Sequence, residues 1–193
     1  MGSKVSDLTA LTGANTATGD LFYIVDVSDG TSGGKKITRA ELENAMRAAN
    51  AAAQVVTLSG ATSITAATHG NRTGYLTGTG SSLAQTLPAA SGSGYRYHFI
   101  VGAVNTSNHV IKVANSSDTI KGNLTILDAD GTTISGYQAS GTDDTLTLNG
   151  TTTGGQIGDW VEFIDVATNV WALRGMLTCP AASNPADPLS ATV

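Results

Sequence analysis

Histidine, cysteine and acidic side chains are few and scattered in this sequence. The three histidines, His69, His98 and His109, stand in separate segments, with no HxH, no HExxH and no paired cysteine beside them. A zinc site needs several ligands at close spacing. The histidines are therefore read as surface or packing residues, with His98 and His109 able to face each other across neighbouring strands. Asp128-x-Asp130-Gly131 opens like a calcium loop, but positions 135 to 141 hold no Asp or Glu to close it. Asp143-Asp144 could complete a looser site; the plainer reading of the first pair is a turn. Gly92-x-Gly94 precedes a strand instead of following one, so it fails as a dinucleotide fingerprint. No Gly-x-Ser-x-Gly elbow is present, and no serine comes with a His and an Asp in a recognisable frame. Glu162 is the only Glu after residue 54 and alternates with Trp160 and Ile164. It reads as structural, and it is the first acid to test. No catalytic residue, metal or cofactor is assigned, and the chain reads as a non-enzyme.

Composition narrows the partners. Of 193 residues, 40% are hydrophobic and only 13% charged, with a net charge of −5. The pI of about 4.9 argues against binding to a phosphate backbone, so no nucleic-acid partner is expected. Thr, Gly, Ala and Ser dominate, a mix that favours short strands joined by tight turns. No apolar run approaches the ~20 residues that span a bilayer, so no membrane insertion is expected. Met1 to Leu11 lacks the apolar core of a secretory signal, which places synthesis in a cytoplasm. The single cysteine, Cys179, excludes a disulfide within the chain and is read as a reduced thiol.

These residues need elements to hold them, and the sequence changes character near residue 54. Residues 1–53 predict a hairpin and a helix. Leu21 to Val27 is an apolar strand, Asp29-Gly30 and Gly33-Gly34 flank a turn, and Lys35-Lys36-Ile37 returns. Thr38 and Glu41 have capping-box spacing, so a helix should run from Arg39 to about Ala53. Its stripe, Leu42, Ala45, Met46 and Ala49, is thin and mostly small. Two readings stay open: a helix lying on its own hairpin, or close helix–helix packing about an oligomer axis. A two-stranded hairpin cannot bury both faces alone. Leu21, Tyr23 and Val25 on one face therefore expect a partner surface: their own helix, a sister chain or another protein.

Residues 54–178 read as mainly β, an antiparallel sandwich or barrel. Tyr95, Tyr97, Phe99 and Val101 share one strand face. Trp160 to Val166 and Val170 to Leu177 form a terminal hairpin about Ala167-Thr168-Asn169, with Val161 and Phe163 opposite Trp171, Leu173 and Leu177. No helix pattern recurs, and without a repeat of fixed period a solenoid is not expected. Residues 179–193 carry three of the four prolines and read as an extended or loose arm. Tyr137, in a Gly-Tyr-Gln stretch read as a loop, is the best aromatic for stacking on a host-surface glycan.

Two stretches resemble proteins of tailed-phage particles. Lys4-Val5-Ser6-Asp7-Leu8, then Gly19-Asp20-Leu21-Phe22-Tyr23-Ile24-Val25-Asp26, then Lys36-Ile37-Thr38 before the helix, is similar to the N-terminal segment of tail-fibre, collar and head-fibre proteins. Leu87-Pro88-Ala89-Ala90, Tyr95-x-Tyr97-x-Phe99, and Gly158-Asp159-Trp160-Val161-Glu162-Phe163 with Asn169-x-Trp171 resemble a β-module of small capsid decoration proteins and head fibres. The resemblance implies a homotrimer on the outer capsid surface of the virion, decorating the particle. Its foot would touch the major capsid protein or another virion protein through Leu8, Leu11, Leu21, Tyr23 and Val25. The stripe of Leu42, Ala45, Met46 and Ala49 would then lie at the oligomer interface. The alternative expectation is a tail-fibre receptor-binding or carbohydrate-binding module.

Overall fold

A computed structural model of the chain describes residues 21–25, 34–52, 54–80, 82–181 and 183–193. The chain forms two units, Met1–Ala53 and Gln54–Val193.

In the first unit, β1 (Leu21–Val25) pairs antiparallel with β2 (Gly34–Thr38), and Leu21 opposes Thr38 while Val25 opposes Gly34. The helix α1 follows at once over Arg39–Ala52. The expected capping box closes its N-terminus. The Thr38 N–H donates to the Glu41 carboxylate at 2.8 Å, and the Glu41 N–H donates back to the Thr38 hydroxyl at 3.1 Å. The Thr38 N–H and hydroxyl, both donating to the Glu41 carboxylate, hold it below its usual range. Arg39 and Glu43 add an ion pair one turn apart at 2.6 Å.

The second unit is mainly β, with a sandwich-like arrangement of two sheets. One sheet has seven strands. Five of them are β3 (Val55–Leu58), β5 (Arg72–Leu76), β7 (Arg96–Val101), β12 (Trp160–Ala167) and β13 (Val170–Cys179). The edge pair β9 (Thr119–Asp128) and β10 (Ile134–Gln138) completes the order β10-β9-β13-β12-β7-β5-β3. The other sheet runs β14-β11-β8-β6-β4, where β4 is Thr62–Ser63, β6 Ala84–Thr86, β8 His109–Lys112, β11 Thr145–Leu148 and β14 Leu189–Ser190.

The sheets are mixed, not antiparallel throughout. From β3 to β8 the chain alternates between sheets, so that β3, β5 and β7 lie parallel in one and β4, β6 and β8 parallel in the other. This parallel run departs from the antiparallel pairing expected from the sequence. Strand alternation gives the buried face but says nothing of direction. The spacings are unequal, with the first set of strands beginning at residues 55, 72 and 96, so no period marks the run. A one-turn helix, α2 (Ala66–His69), was likewise not expected; Thr65 caps it by accepting the Thr68 N–H. One turn is too short to leave a 3.6-residue pattern.

The core lies between the sheets, where alternate residues meet. Val161, Phe163, Trp171, Leu173 and Leu177 are buried, as their alternation predicts, opposite Ile111, Val113, Leu146 and Leu148 of the second sheet's strands and loops. Tyr97 packs edge-on against Trp171 with ring centroids 5.5 Å apart, and Phe99 against Phe163 at 6.3 Å. Burial, with the nearby Asp165 charge, pushes the Tyr97 phenol up to about 12. Tyr95 differs from its expected companions: it precedes β7 and is 38% exposed.

The tail is docked, not loose. β14 pairs with β11, Leu189 is buried, and the Thr147 N–H donates to the Pro188 carbonyl at 2.8 Å. The Asp144 carboxylate accepts the Thr192 N–H at 2.8 Å and the Thr145 hydroxyl at 2.8 Å.

Candidate functional site

The outward face of the seven-stranded sheet carries the polar chemistry of the second unit. Alternation decides which residues reach it. In β12, Val161, Phe163 and Asp165 are buried, and Trp160, Glu162 and Ile164 take the opposite phase. Strand register then aligns Asn123, Arg174, Glu162, His98, Thr73 and Val55 in one row across six strands. The next row has four apolar members, Met176, Trp160, Ile100 and Tyr75, flanked by Thr125 and Thr57.

These rows border a 380 Å³ cleft lined by Asn71, Arg72, Thr73, Arg96, His98, Trp160, Glu162 and Arg174. Glu162 bridges two guanidinium groups, Arg174 at 2.5 Å and Arg96 at 3.4 Å. Its own side chain is 12% exposed, while those of Arg96 and Arg174 are 54% and 61% exposed. Arg72 donates to the Thr68 carbonyl at 2.9 Å. The His98 and Trp160 rings meet at 5.8 Å with planes tilted by 54°.

The charge here runs against its surroundings. Residues 54–193 contain nine acids and five bases, a net of 5 − 9 = −4, yet all three of their arginines line this cleft with one acid between them. The other acids are largely engaged within the fold. Asp165 accepts the N–H groups of Ser91, Gly92 and Ser93 and the hydroxyls of Ser91 and Ser93. Burial works to raise its pKa, but these donors outweigh it and bring it down to about 2. Asp159 accepts the Gly155 and Gln156 N–H groups at 2.8 and 3.0 Å, and there burial prevails and raises the pKa.

Thr73, His98 and Glu162 stand in series across three strands, with 3.3 Å between the Thr73 hydroxyl and His98 Nδ1. A hydroxyl, an imidazole and a carboxylate are the residue types of a nucleophilic triad. The geometry favours ion pairing, because the Glu162 carboxylate is turned to the arginines. The flat sheet face also presents side chains, while the strand N–H groups, the donors an oxyanion hole needs, are engaged in the ladders. The arrangement suits binding of a negatively charged group.

The expected site residues are dispersed. Leu8 and Leu11 lie outside the described residues. Leu21, Tyr23 and Val25 occupy alternate positions of β1, opposite Thr38, Lys36 and Gly34. Leu42, Ala45 and Met46 are exposed on α1, Leu42 by 39% and Met46 by 60%, and Ala49 is on the same helix.

Tyr137 is not in a loop. It is the fourth residue of β10, opposite Leu124, half-buried against the core, with its hydroxyl donating to the Pro185 carbonyl at 2.7 Å. Gly136 disguised the strand, since glycine is weakly β-forming. The Tyr137 hydroxyl is thus engaged, and the residue lines a separate cleft with Asn123, Thr125 and Gln138. His98 and His109 belong to different sheets and do not face each other across neighbouring strands. Asp128, Asp130 and Gly131 form the β9–β10 turn, where Asp130 accepts the Thr132 N–H at 2.9 Å. Among the described residues no group of three His, Cys, Asp or Glu side chains is placed to hold a metal, and no helix is long and apolar enough to cross a membrane.

Sequence reading singled out Glu162 and missed the arginines around it. Their signal was available in part: Arg96 and Arg174 both fall in the outward phase of strongly alternating strands. Comparison with family models, curated proteins and solved structures finds no match.

Proposed function

We propose that the protein is a non-enzymatic structural component of a tailed-phage virion, a homo-oligomer that decorates the outer capsid surface and attaches through its N-terminal unit. The observation that supports this reading best is the division at Ala53/Gln54. On one side is a hairpin and helix whose Leu42, Ala45 and Met46 face outward from the single chain. On the other is a β unit with its own core. An outward stripe of small and apolar side chains suits close helix packing between copies. A large self-cored β unit suits display from such a foot. The trimeric state and the capsid partner come from the sequence resemblance.

The test combines light scattering with co-sedimentation on capsids stripped of accessory proteins. A stable oligomer that sediments with stripped capsids is expected. Met46→Glu should weaken the oligomer, because it places charge in the stripe. A monomer that ignores capsids overturns the proposal.

A further inference from the structure

We propose that the arginine-lined cleft on the outward face of the seven-stranded sheet is a binding site for a carboxylate-bearing saccharide. The inference is independent of capsid attachment, because every residue it uses lies within 54–193.

The argument for an anion is the concentration of cationic groups. In a unit of net charge −4, all three arginines, Arg72, Arg96 and Arg174, line one cleft. Glu162 neutralises one of the three charges and fixes two guanidiniums by its own bonds. An excess of two positive charges remains for a ligand. A guanidinium fork matches a carboxylate in both geometry and charge. The excess is too small and too local to follow a nucleic-acid backbone.

The argument for a sugar is what stands beside the arginines. Trp160 forms an apolar wall of the cleft, and His98, Thr73 and Asn71 offer hydrogen-bonding groups to hydroxyls. A sugar ring has an apolar C–H face and polar edges, so it suits an aromatic wall next to polar groups. A free inorganic anion would leave Trp160 without a role. The volume, 380 Å³, accommodates a small saccharide, since ligand clefts span about 300–1,000 Å³. Uronic and nonulosonic acids share this chemistry.

The test uses the full chain and three probes: a glucuronate-containing tetrasaccharide, sialyllactose, and lactose as the neutral control. Trp171 is fully buried, so a change in tryptophan fluorescence reports on Trp160. Saturable binding of one or both acidic probes is expected, with lactose at least about ten-fold weaker, and the acidic probe that binds identifies the sugar class. Arg72→Gln and Arg96→Gln should each weaken binding about ten-fold, as loss of a charge-assisted hydrogen bond does, and added salt should weaken it further. Trp160→Ala, followed by calorimetry, should remove it. Arg72→Gln guards against a failure to fold, since among the described residues its guanidinium makes one hydrogen bond, to the Thr68 carbonyl. The proposal is overturned by no binding of either acidic probe at millimolar concentration, by equal binding of lactose, or by affinity unchanged in Arg72→Gln. Loss of self-association in the arginine variants, without sugar binding, would overturn it as well and mark the cleft as a contact between copies.

Discussion

Asp165 shows how much one side chain holds in this fold. It occupies the buried phase of β12, in step with Val161 and Phe163, and is only 3% exposed. A carboxylate there requires donors. The Ser91–Ser93 loop supplies five of them, three N–H groups and two hydroxyls. Its folded pKa of about 2 lies below the ordinary 3.8. A depressed carboxylate pKa contributes stability above the unfolded value, and that contribution is lost as pH falls through the folded one. Asp165→Asn should therefore cost about 2 kcal/mol at pH 7, and the gap from the native chain should close between about pH 4 and pH 2. Thermal unfolding at a series of pH values checks this; a constant gap would refute it. Asp165 was legible in principle, as an acid in phase with the apolar face of β12. The clamp on Asp144 was not, because the Thr192 and Val193 amides reach it only through the docked tail.

Gly122 is a second single-residue constraint. Its φ is +135°, and an added methyl would meet the carbonyl of Leu173 on the parallel partner strand. Gly122→Ala should destabilise by at least about 1 kcal/mol, since alanine neither adopts this φ nor fits. Chemical denaturation measures it, and an unchanged midpoint would show that β9 shifts to make room.

At the scale of elements, what sequence reveals is what alternation and capping encode. The hairpin of β1 and β2, the Thr38 start of α1 and the β12–β13 hairpin were all legible, because each depends on contacts between near neighbours. The parallel run of β3 to β8 was not, because the choice of sheet is made by loops of unequal length. Nor was the tail. Its prolines exclude a regular helix or central strand, but the β14 pairing depends on β11, more than 40 residues earlier. The docked tail gives a prediction. Removing residues 183–193 takes away Leu189 from the core and the Thr192 and Val193 amides from Asp144. Amide exchange at Asp144 and Thr147 should accelerate, since their acceptors are the Ser190 and Pro188 carbonyls. The midpoint of unfolding should fall as well. Leu189→Ala alone should cost about 2 kcal/mol, the lower part of the range for a buried leucine. Protection retained at both amides after truncation would mean that the tail adds nothing to β11.

At the scale of the whole molecule, the two units divide the proposed work. The N-terminal unit offers an outward stripe but few residues of distinctive chemistry, whereas the β unit has the large core and the arginine cleft. A chain of residues 54–193 should fold alone, because its sheets, its core and the clamps on its buried acids lie within it. Its thermal transition should match the main transition of the full chain, and its affinity for the acidic probes should be unchanged. Two properties should be lost together: self-association through α1 and co-sedimentation with stripped capsids. The combination distinguishes the two proposals. Capsid binding by residues 54–193 would move the attachment surface into the β unit and overturn the assigned role of the hairpin and helix. Loss of saccharide binding in a well-folded fragment would mean that the cleft depends on the oligomer, so that copies held together by the N-terminal unit complete the site. Retention of saccharide binding with loss of the capsid would leave a particle-anchored foot and a sugar-reading β unit on one chain.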